Sequence, residues 1–155
     1  MSAMCTVSSL PRHAELQCPQ AGEPWERVSI DITCPHPKST RQNQYILTVV
    51  DHFTKWAEAI PMRDHTALTV ARMLMTHVIP RYGAPKQILS DRGAEFESEL
   101  LWQLMNSMEI HKLRTTSYKA STNGIVERFH GTLISMLVKT VQESQRDWEE
   151  RLPYR

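Results

Sequence analysis

The period of the apolar residues changes along this chain, and that change constrains the fold most. From Glu26 to Thr33 apolar and polar residues alternate, with Val28, Ile30 and Ile32 on one face, as in a half-buried strand. Residues 43–50 and 55–60 are rich in strand-forming residues and predict two more strands, joined by a turn at 51–54. The apolar period then lengthens to about 3.6 residues, which is typical of amphipathic helices. Three successive strands are therefore predicted before the first helix.

The rest of the chain alternates between helix and strand. The predicted elements are a helix from Ala67 ended by Gly83 and Pro85, a strand at 88–89, a helix at 97–109, a strand at 110–115 and a long helix at 124–144. Their apolar faces consist of Ala67, Val70, Ala71, Leu74 and Val78; Leu100, Leu101, Leu104, Met105 and Met108; and Ile125, Phe129, Met136, Leu137 and Val141. The order βββαβαβα predicts an α/β fold in which a mixed sheet, containing a three-stranded antiparallel meander, is flanked by helices.

Length and composition indicate one compact domain. The chain has 155 residues, of which 41% are hydrophobic. Residues 1–24 lack apolar periodicity and are rich in proline, so we expect a linker or disordered lead-in before a domain at 25–155. No apolar run is long enough for a membrane helix, and the amino terminus does not resemble a signal peptide. The three cysteines form no CxxC pair, which favours free thiols in a reducing compartment. The sequence thus predicts a protein that is neither secreted nor membrane-bound.

Three carboxylates lie at positions that core packing explains poorly. Asp31 lies within a predicted strand, Asp91 follows one, and Glu127 lies in the first turn of a predicted helix. Mg²⁺ prefers one or two carboxylates together with water and phosphate oxygens, and two such ions about 4 Å apart can clamp both oxygens of a phosphoryl displacement. Each residue also has a plain structural interpretation: a solvated strand face for Asp31, a turn for Asp91 and a favourable helix-dipole position for Glu127.

Two sequence blocks carry a family resemblance. Residues 90–96, Ser-Asp-Arg-Gly-Ala-Glu-Phe, and 122–130, Thr-Asn-Gly-Ile-Val-Glu-Arg-Phe-His, resemble the second and third signature blocks of retroviral and long-terminal-repeat retrotransposon integrases. Thirty-five residues separate Asp91 from Glu127, the interval that names the D,D-35-E family, and Asp31 takes the first position of that motif. The stretches at 23–28, 45–51, 53–59 and 147–148 are similar to those of gypsy-type elements. The resemblance covers roughly residues 22–155.

This resemblance implies an RNase H-like catalytic core in which Asp31, Asp91 and Glu127 converge to hold two Mg²⁺ or Mn²⁺ ions. Members of the family trim the 3′ ends of the element's DNA with water and then join the freed 3′ hydroxyl to a target phosphodiester. The metal ions activate the attacking oxygen and neutralise developing charge, so no separate side-chain base is required. The implied partners are double-stranded DNA, from element and target, and further copies of the chain in a homo-oligomer. The implied location is the nucleus, and otherwise the cytoplasm.

The resemblance also implies DNA contacts around the third acid. Tyr118, Lys119, Asn123 and Arg128 are the candidates, and Lys119 would add a phosphate-binding charge. The His-Pro-Gln that usually follows the tyrosine in the family is replaced here by Lys-Ala-Ser. Family members often carry basic residues at the positions of Gly131 and Ile134, so we expect weaker binding of DNA ends. Asn123 and Arg128 also fit ordinary helix-start and surface positions.

Several alternatives remain open from sequence. The net charge is +1, which gives no electrostatic signature of nucleic-acid binding. A non-catalytic nucleic-acid or protein-binding module derived from an integrase is therefore the second hypothesis, and an RNase H-like nuclease for RNA–DNA hybrids is the third. Complete integrases also carry an amino-terminal zinc module and a carboxy-terminal region, so we expect a catalytic core that lacks its last helices. Asp51 is interpreted as a turn residue, and Trp56 and Trp102 as core or surface aromatics rather than base-stacking platforms.

Overall fold

Five strands form a single mixed sheet. The computed structural model describes residues 21–33, 35–114, 124, 128–133, 135 and 146–152. The strands are β1 (Arg27–Ile32), β2 (Tyr45–Asp51), β3 (Ala57–Met62), β4 (Gln87–Ser90) and β5 (His111–Arg114), and their order in the sheet is β3-β2-β1-β4-β5. β1, β2 and β3 are antiparallel, whereas β4 and β5 run parallel to β1. The predicted mixed sheet with a three-stranded meander is confirmed.

The turn between β2 and β3 is longer than predicted. Lys55 has a φ of 66°, in the left-handed region, and β3 begins only at Ala57. Asp51 is the last residue of β2 and organises this turn by accepting hydrogen bonds from the main-chain N–H groups of Phe53 and Thr54. The interpretation of Asp51 as a turn residue is confirmed.

Three helices cover one face of the sheet. They are α1 (Ala67–Met73), α2 (Ile79–Tyr82) and α3 (Glu99–Ser107). The side chains of Thr66 and Ser98 cap α1 and α3 by accepting hydrogen bonds from the N–H groups of Thr69 and Leu101. Gly83, with a φ of 82°, ends α2 at the predicted position because glycine adopts this conformation without a steric penalty.

A π-helical turn interrupts the first predicted helix. Residues Leu74–Val78 form this turn between α1 and α2, and the N–H of Ile79 donates to the carbonyl of Leu74, five residues earlier. Pro80 has no N–H, and in a regular helix its ring would clash with the carbonyl four residues before it. The wider turn relieves that clash, so the proline accounts for the departure from the regular helix that the apolar period predicts.

Both faces of β1 are buried in the middle of the strand, which corrects the expectation of a half-buried first strand. Val28 and Ile30 pack with α1 and α3 on one face. On the other face Ser29 and Thr33 are also buried, with 4% and 6% of their surface exposed. A second cluster explains this burial, because residues of the 128–133 helix and of the 146–152 segment lie over that face. Its buried members are Ile46, Ala59, Leu133, Trp148 and Leu152.

The apolar stripe of α3 is narrower than predicted. Leu101 and Met105 are buried, and Leu104 and Met108 pack against the core. Leu100 is 45% exposed, so its assignment to the buried face is wrong. Consecutive helix residues point about 100° apart, and with Leu101 facing the sheet its neighbour faces solvent.

The 146–152 segment closes the second face by docking on the connection between β1 and β2. Trp148 lies in the short 3₁₀ helix Trp148–Arg151 and donates its indole N–H to the carbonyl of Pro37 at 2.7 Å. The buried carboxylate of Glu149 accepts hydrogen bonds from Ser39 Oγ at 2.6 Å and Asn43 Nδ2 at 2.7 Å. These contacts join segments about a hundred positions apart in the sequence and fix the connection that leaves β1.

The last predicted helix is described only in part. Residues 124, 128–133 and 135 are helical, and Phe129 and Leu133 pack into the second cluster. Ile125, Met136, Leu137 and Val141 lie outside the described residues. Within the described part of the chain, no helix has the length and apolar character needed to cross a membrane.

Candidate active site

Two of the predicted acids meet at one edge of the sheet. β1 and β4 are adjacent and parallel, with Arg27 paired to Gln87 and Ser29 paired to Leu89. Continuing that register by two residues sets Asp31, near the end of β1, beside Asp91, which directly follows β4. The carboxyl ends of adjacent parallel strands are where α/β proteins most often bind ligands. The topology thus brings together two carboxylates that lie far apart in the sequence.

Negative charge is concentrated around Asp31, whose side chain is 35% exposed. Its Oδ1 accepts a hydrogen bond from the N–H of Ile32 at 2.8 Å. Burial raises the pKa of Asp31 above its ordinary value, and the carboxylates of Asp91 and Glu95 add to this, while the Ile32 N–H and the His130 ring oppose it. The surroundings of Asp31 therefore disfavour its ionised form, and a bound cation would offset the free-energy cost of that ionisation.

Gly93 allows the carboxylates of Asp91 and Glu95 to lie close to the main chain after β4. Its N–H donates to Asp91 Oδ1 at 2.9 Å. A Cβ atom at this position would lie 3.1 Å from Asp91 Oδ1 and 2.7 Å from Glu95 Oε1, both closer than ordinary van der Waals contact. Sequence reasoning did not single out Glu95 as a site residue, although it lies in the signature block at 90–96. Its carboxylate adds to the negative potential at this edge.

His130 connects the candidate site to the middle of the sheet. Its Nδ1 lies 3.5 Å from Asp31 Oδ2, and its Nε2 lies 2.7 Å from Thr48 Oγ1. Thr48 Oγ1 also donates to the main-chain carbonyl of Asp31 at 3.1 Å, so Nε2 acts as the donor to Thr48. Burial lowers the pKa of His130, and the nearby Asp31 carboxylate opposes that shift.

Sequence reasoning grouped His130 with the scattered histidines and missed this contact. The available signal was its position three residues after Glu127, since residues three apart lie on the same side of a helix.

The donor set fits a hard divalent ion. Asp31 and Asp91 offer carboxylate oxygens at neighbouring positions, which is the ligand chemistry that Mg²⁺ and Mn²⁺ prefer. Among the residues that the structure describes, no group of three His, Cys, Asp or Glu side chains is placed to hold a metal ion. The third predicted ligand, Glu127, lies outside those residues. The described site is thus two members of the predicted triad.

Comparison of the sequence with known proteins identifies the family of the chain. Residues 21–120 match the family model described as the integrase core domain. The chain belongs to the integrase core domain family. Its sequence is 30% identical over 149 residues to the retrovirus-related Pol polyprotein from transposon 412 of Drosophila melanogaster. This match covers 96% of this chain and 11% of the polyprotein. It is 36% identical over 138 residues to the Gag-Pol polyprotein of walleye dermal sarcoma virus, covering 88% of this chain and 8% of that one. This core domain therefore spans about a tenth of these relatives.

Solved structures show the same fold. The simian T-cell lymphotropic virus intasome in complex with PP2A regulatory subunit B56 gamma matches with a TM-score of 0.67 and 26% identity, covering 77% of this chain and 42% of that one. The catalytic core of BIV integrase matches with a TM-score of 0.64 and 23% identity, covering 81% and 79%. The HTLV-2 integrase catalytic core in complex with magnesium matches with a TM-score of 0.60 and 23% identity. This match covers 76% of this chain and 73% of that one. The RNase H-like fold predicted from the sequence is confirmed.

The predicted DNA contacts of this core domain fall mostly outside the described residues. Tyr118, Lys119 and Asn123 are among the undescribed residues. Arg128 is described, and its exposed side chain donates from Nε to the carbonyl of Gly124 at 2.8 Å, within its own helix. The DNA-binding assignments of these four residues therefore stay predictions.

Proposed function

We propose that this chain provides an integrase-type active site for phosphoryl transfer at DNA ends, with Asp31, Asp91 and Glu127 as its carboxylates. The observation that carries the proposal is the placement of Asp31 beside Asp91 at the carboxyl edge of two parallel strands, in a chain of the integrase core domain family. The reactions would be 3′ processing and strand transfer. The match to an HTLV-2 core solved in complex with magnesium supports the choice of cation.

The chain's own residues would position the reacting groups. When bound, two Mg²⁺ or Mn²⁺ ions would neutralise charge on the phosphodiester and lower the pKa of the attacking water or 3′ hydroxyl. Asp31 and Asp91 would hold these ions from neighbouring strands, and Glu127, in the helix that the sequence predicts at 124–144, would be the third ligand. Thr48 fixes the main chain of Asp31 by a hydrogen bond to its carbonyl oxygen. The sheet thus supplies a rigid base for the two described carboxylates.

The partners would be double-stranded DNA and other copies of this chain. Tyr118, Lys119, Asn123 and Arg128 would contact the DNA near the site. The match to a viral intasome supports a DNA partner, and the match to the dimeric form of the HTLV-2 core supports a homo-oligomer. Activity on chromosomal DNA would place the protein in the nucleus.

The test is 3′ processing of a labelled duplex oligonucleotide with Mg²⁺ or Mn²⁺. Asp91→Asn keeps the shape of the side chain but removes its charge, and we expect at least a hundredfold loss of rate, because each metal contact contributes several kcal/mol. Glu109→Gln is the matched control, since Glu109 is exposed and lies outside the site. Equal rates in Asp91→Asn and the wild type would contradict the proposal.

A non-catalytic DNA-binding or protein-binding module is the second candidate, favoured by the net charge of only +1. The dependence of DNA affinity on salt separates the two candidates. A core that contacts many phosphates loses affinity steeply as salt rises, with a slope of about −0.9 per neutralised phosphate. A folded chain without metal-dependent activity and with little salt dependence would support the protein-binding module.

A further inference from the structure

An open cavity of about 380 Å³ lies between α3 and the edge strand β5, apart from the residues proposed for catalysis. This volume falls within the range of about 300–1,000 Å³ that ligand pockets occupy. Its lining combines one aromatic ring with a small charged cluster. The lining residues are Glu97, Ser98, Trp102, Lys112, Leu113 and Arg114.

Trp102 presents a large aromatic surface to this cavity. Its side chain lies in the first half of α3 and is 46% exposed. The preceding residue, Leu101, is fully buried and anchors the helix against the sheet, so the indole is held on a rigid element. Exposed aromatic rings on rigid elements are the surfaces on which unpaired bases stack.

Of the two cations that line the cavity, Arg114 has the largely exposed side chain. The Lys112 side chain is only 7% exposed; its Nζ lies 2.8 Å from Glu97 Oε1 and donates to the carbonyl of Phe96. Arg114 Nη2 lies 2.7 Å from Glu97 Oε2, yet the Arg114 side chain is 59% exposed. One carboxylate is thus shared by two cations. The cluster carries a net positive charge, and the guanidinium of Arg114 has five N–H donors, more than its contact with Glu97 uses.

The cavity lies beside the strand that leads to Asp91. Arg114 pairs with Ser90 in the parallel ladder between β4 and β5, and Asp91 follows Ser90 directly. Neighbouring strands lie about 4.8 Å apart, and successive bases of one DNA strand rise about 3.4 Å in a duplex. The main chain of Arg114 thus lies about one or two nucleotide steps from the strand end that carries Asp91.

We infer that this cavity binds an unpaired nucleotide at the end of a DNA strand, with its base stacked on Trp102 and its phosphate held by Arg114. The inference rests on the proposed function, because it takes DNA as the substrate. The base is assigned as unpaired because a base within a duplex is stacked on both faces and is not free to enter a cavity. The sequence argued against Trp102 as a stacking platform because no basic cluster lies near it in the chain. The fold supplies that cluster from β5.

The test uses two fluorescent duplexes of equal base-paired length, one blunt and one with a two-nucleotide 5′ overhang, and measures the affinity of the full chain by anisotropy. The wild type is expected to prefer the overhang. Trp102→Ala is expected to lose about tenfold in affinity for the overhang duplex, which removes the preference, because stacking contributes on the order of a tenfold change per base. Trp102→Phe retains a ring and should keep most of the preference.

Two further variants sharpen the comparison. Trp56→Ala is the matched control, because Trp56 is also an exposed tryptophan and lies outside the cavity; it should keep the overhang preference. Arg114→Gln removes the proposed phosphate contact and should reduce the slope of log affinity against log salt by about one. A 2-aminopurine in the overhang should lose fluorescence on binding the wild type, as stacked bases do, and keep it on binding Trp102→Ala.

The outcomes separate this inference from the proposed function. Binding of both duplexes with an overhang preference that survives in Trp102→Ala, or with no preference in the wild type, would overturn the inference and leave the proposed function standing. Binding of neither duplex by the folded wild type would overturn both.

Discussion

At the scale of single residues, two aspartates in this chain have opposite surroundings. Asp51 is buried, but hydrogen bonds from the hydroxyl and N–H of Thr54 and the N–H groups of Phe53 and Trp25 surround its carboxylate. The carboxylate of Asp31 accepts a hydrogen bond from the N–H of Ile32 and lies near the carboxylates of Asp91 and Glu95. The fold therefore stabilises the charge on Asp51 and destabilises the charge on Asp31. The first pattern is structural, and the second is what a cation site requires.

Replacing Asp31 should make the fold more stable while removing the proposed activity. Its raised pKa means that the charged carboxylate costs folding free energy at neutral pH, a cost that is absent below the ordinary pKa of an aspartate. We expect Asp31→Asn to unfold at a higher urea concentration than the wild type at pH 7 without metal. Mg²⁺ should stabilise the wild type and not the variant. A variant less stable than the wild type at pH 7 would contradict this account of the site.

Asp51 should make stability depend on acid pH in the opposite sense. Burial opposes ionisation of Asp51, but the hydrogen bonds from Thr54, Phe53 and Trp25 outweigh it and hold the pKa below the ordinary value. Its stabilising contribution is present above the ordinary pKa and is lost as pH falls through the lowered pKa. Asp51→Asn should cost about 1–2 kcal/mol at pH 7, with a smaller difference near pH 3. Urea denaturation of both proteins between pH 7 and pH 3 measures this difference in unfolding free energy. A difference that does not shrink at acid pH would contradict the lowered pKa of Asp51.

At the scale of elements, local order was predictable and long-range contacts were not. The strands, the helix stop at Gly83 and the turn at Asp51 follow from residue types and apolar periods that act over a few positions. The π-helical turn at Leu74–Val78 was predictable only as an irregularity before Pro80, because proline disrupts a regular helix. The burial of Ser29 and the docking of Glu149 depend on segments that meet only in the folded chain.

The 146–152 segment should contribute measurably to stability through Glu149. Glu149→Ala would leave the buried donor of Ser39 and the partly buried donor of Asn43 unpaired, which costs about 1–3 kcal/mol. Glu150→Ala is the matched control because Glu150 is exposed, and it should change stability by less than about 0.5 kcal/mol. Chemical denaturation of both variants makes the comparison, and equal effects would show that the docking contact is not stabilising.

At the scale of the whole molecule, the sequence predicted the fold class, and the sheet order explains the site. An apolar pattern does not say that β1 pairs with β4, and that pairing is what brings Asp31 to Asp91. Only the family resemblance made the meeting of these acids predictable. The contacts of Glu95 and His130 with Asp31, and the cavity beside Trp102, became visible only in three dimensions, because each joins residues from separate elements.

The central claim is that the three acids form one metal-dependent site. Strand transfer with Mn²⁺, comparing the wild type with Glu127→Gln, tests it most directly, because Glu127 is the member of the triad that lies outside the described residues. We expect metal-dependent joined DNA products from the wild type and a loss of at least about a hundredfold in the variant. Undiminished strand transfer by Glu127→Gln, or no activity from a folded wild-type chain with either Mg²⁺ or Mn²⁺, would contradict it.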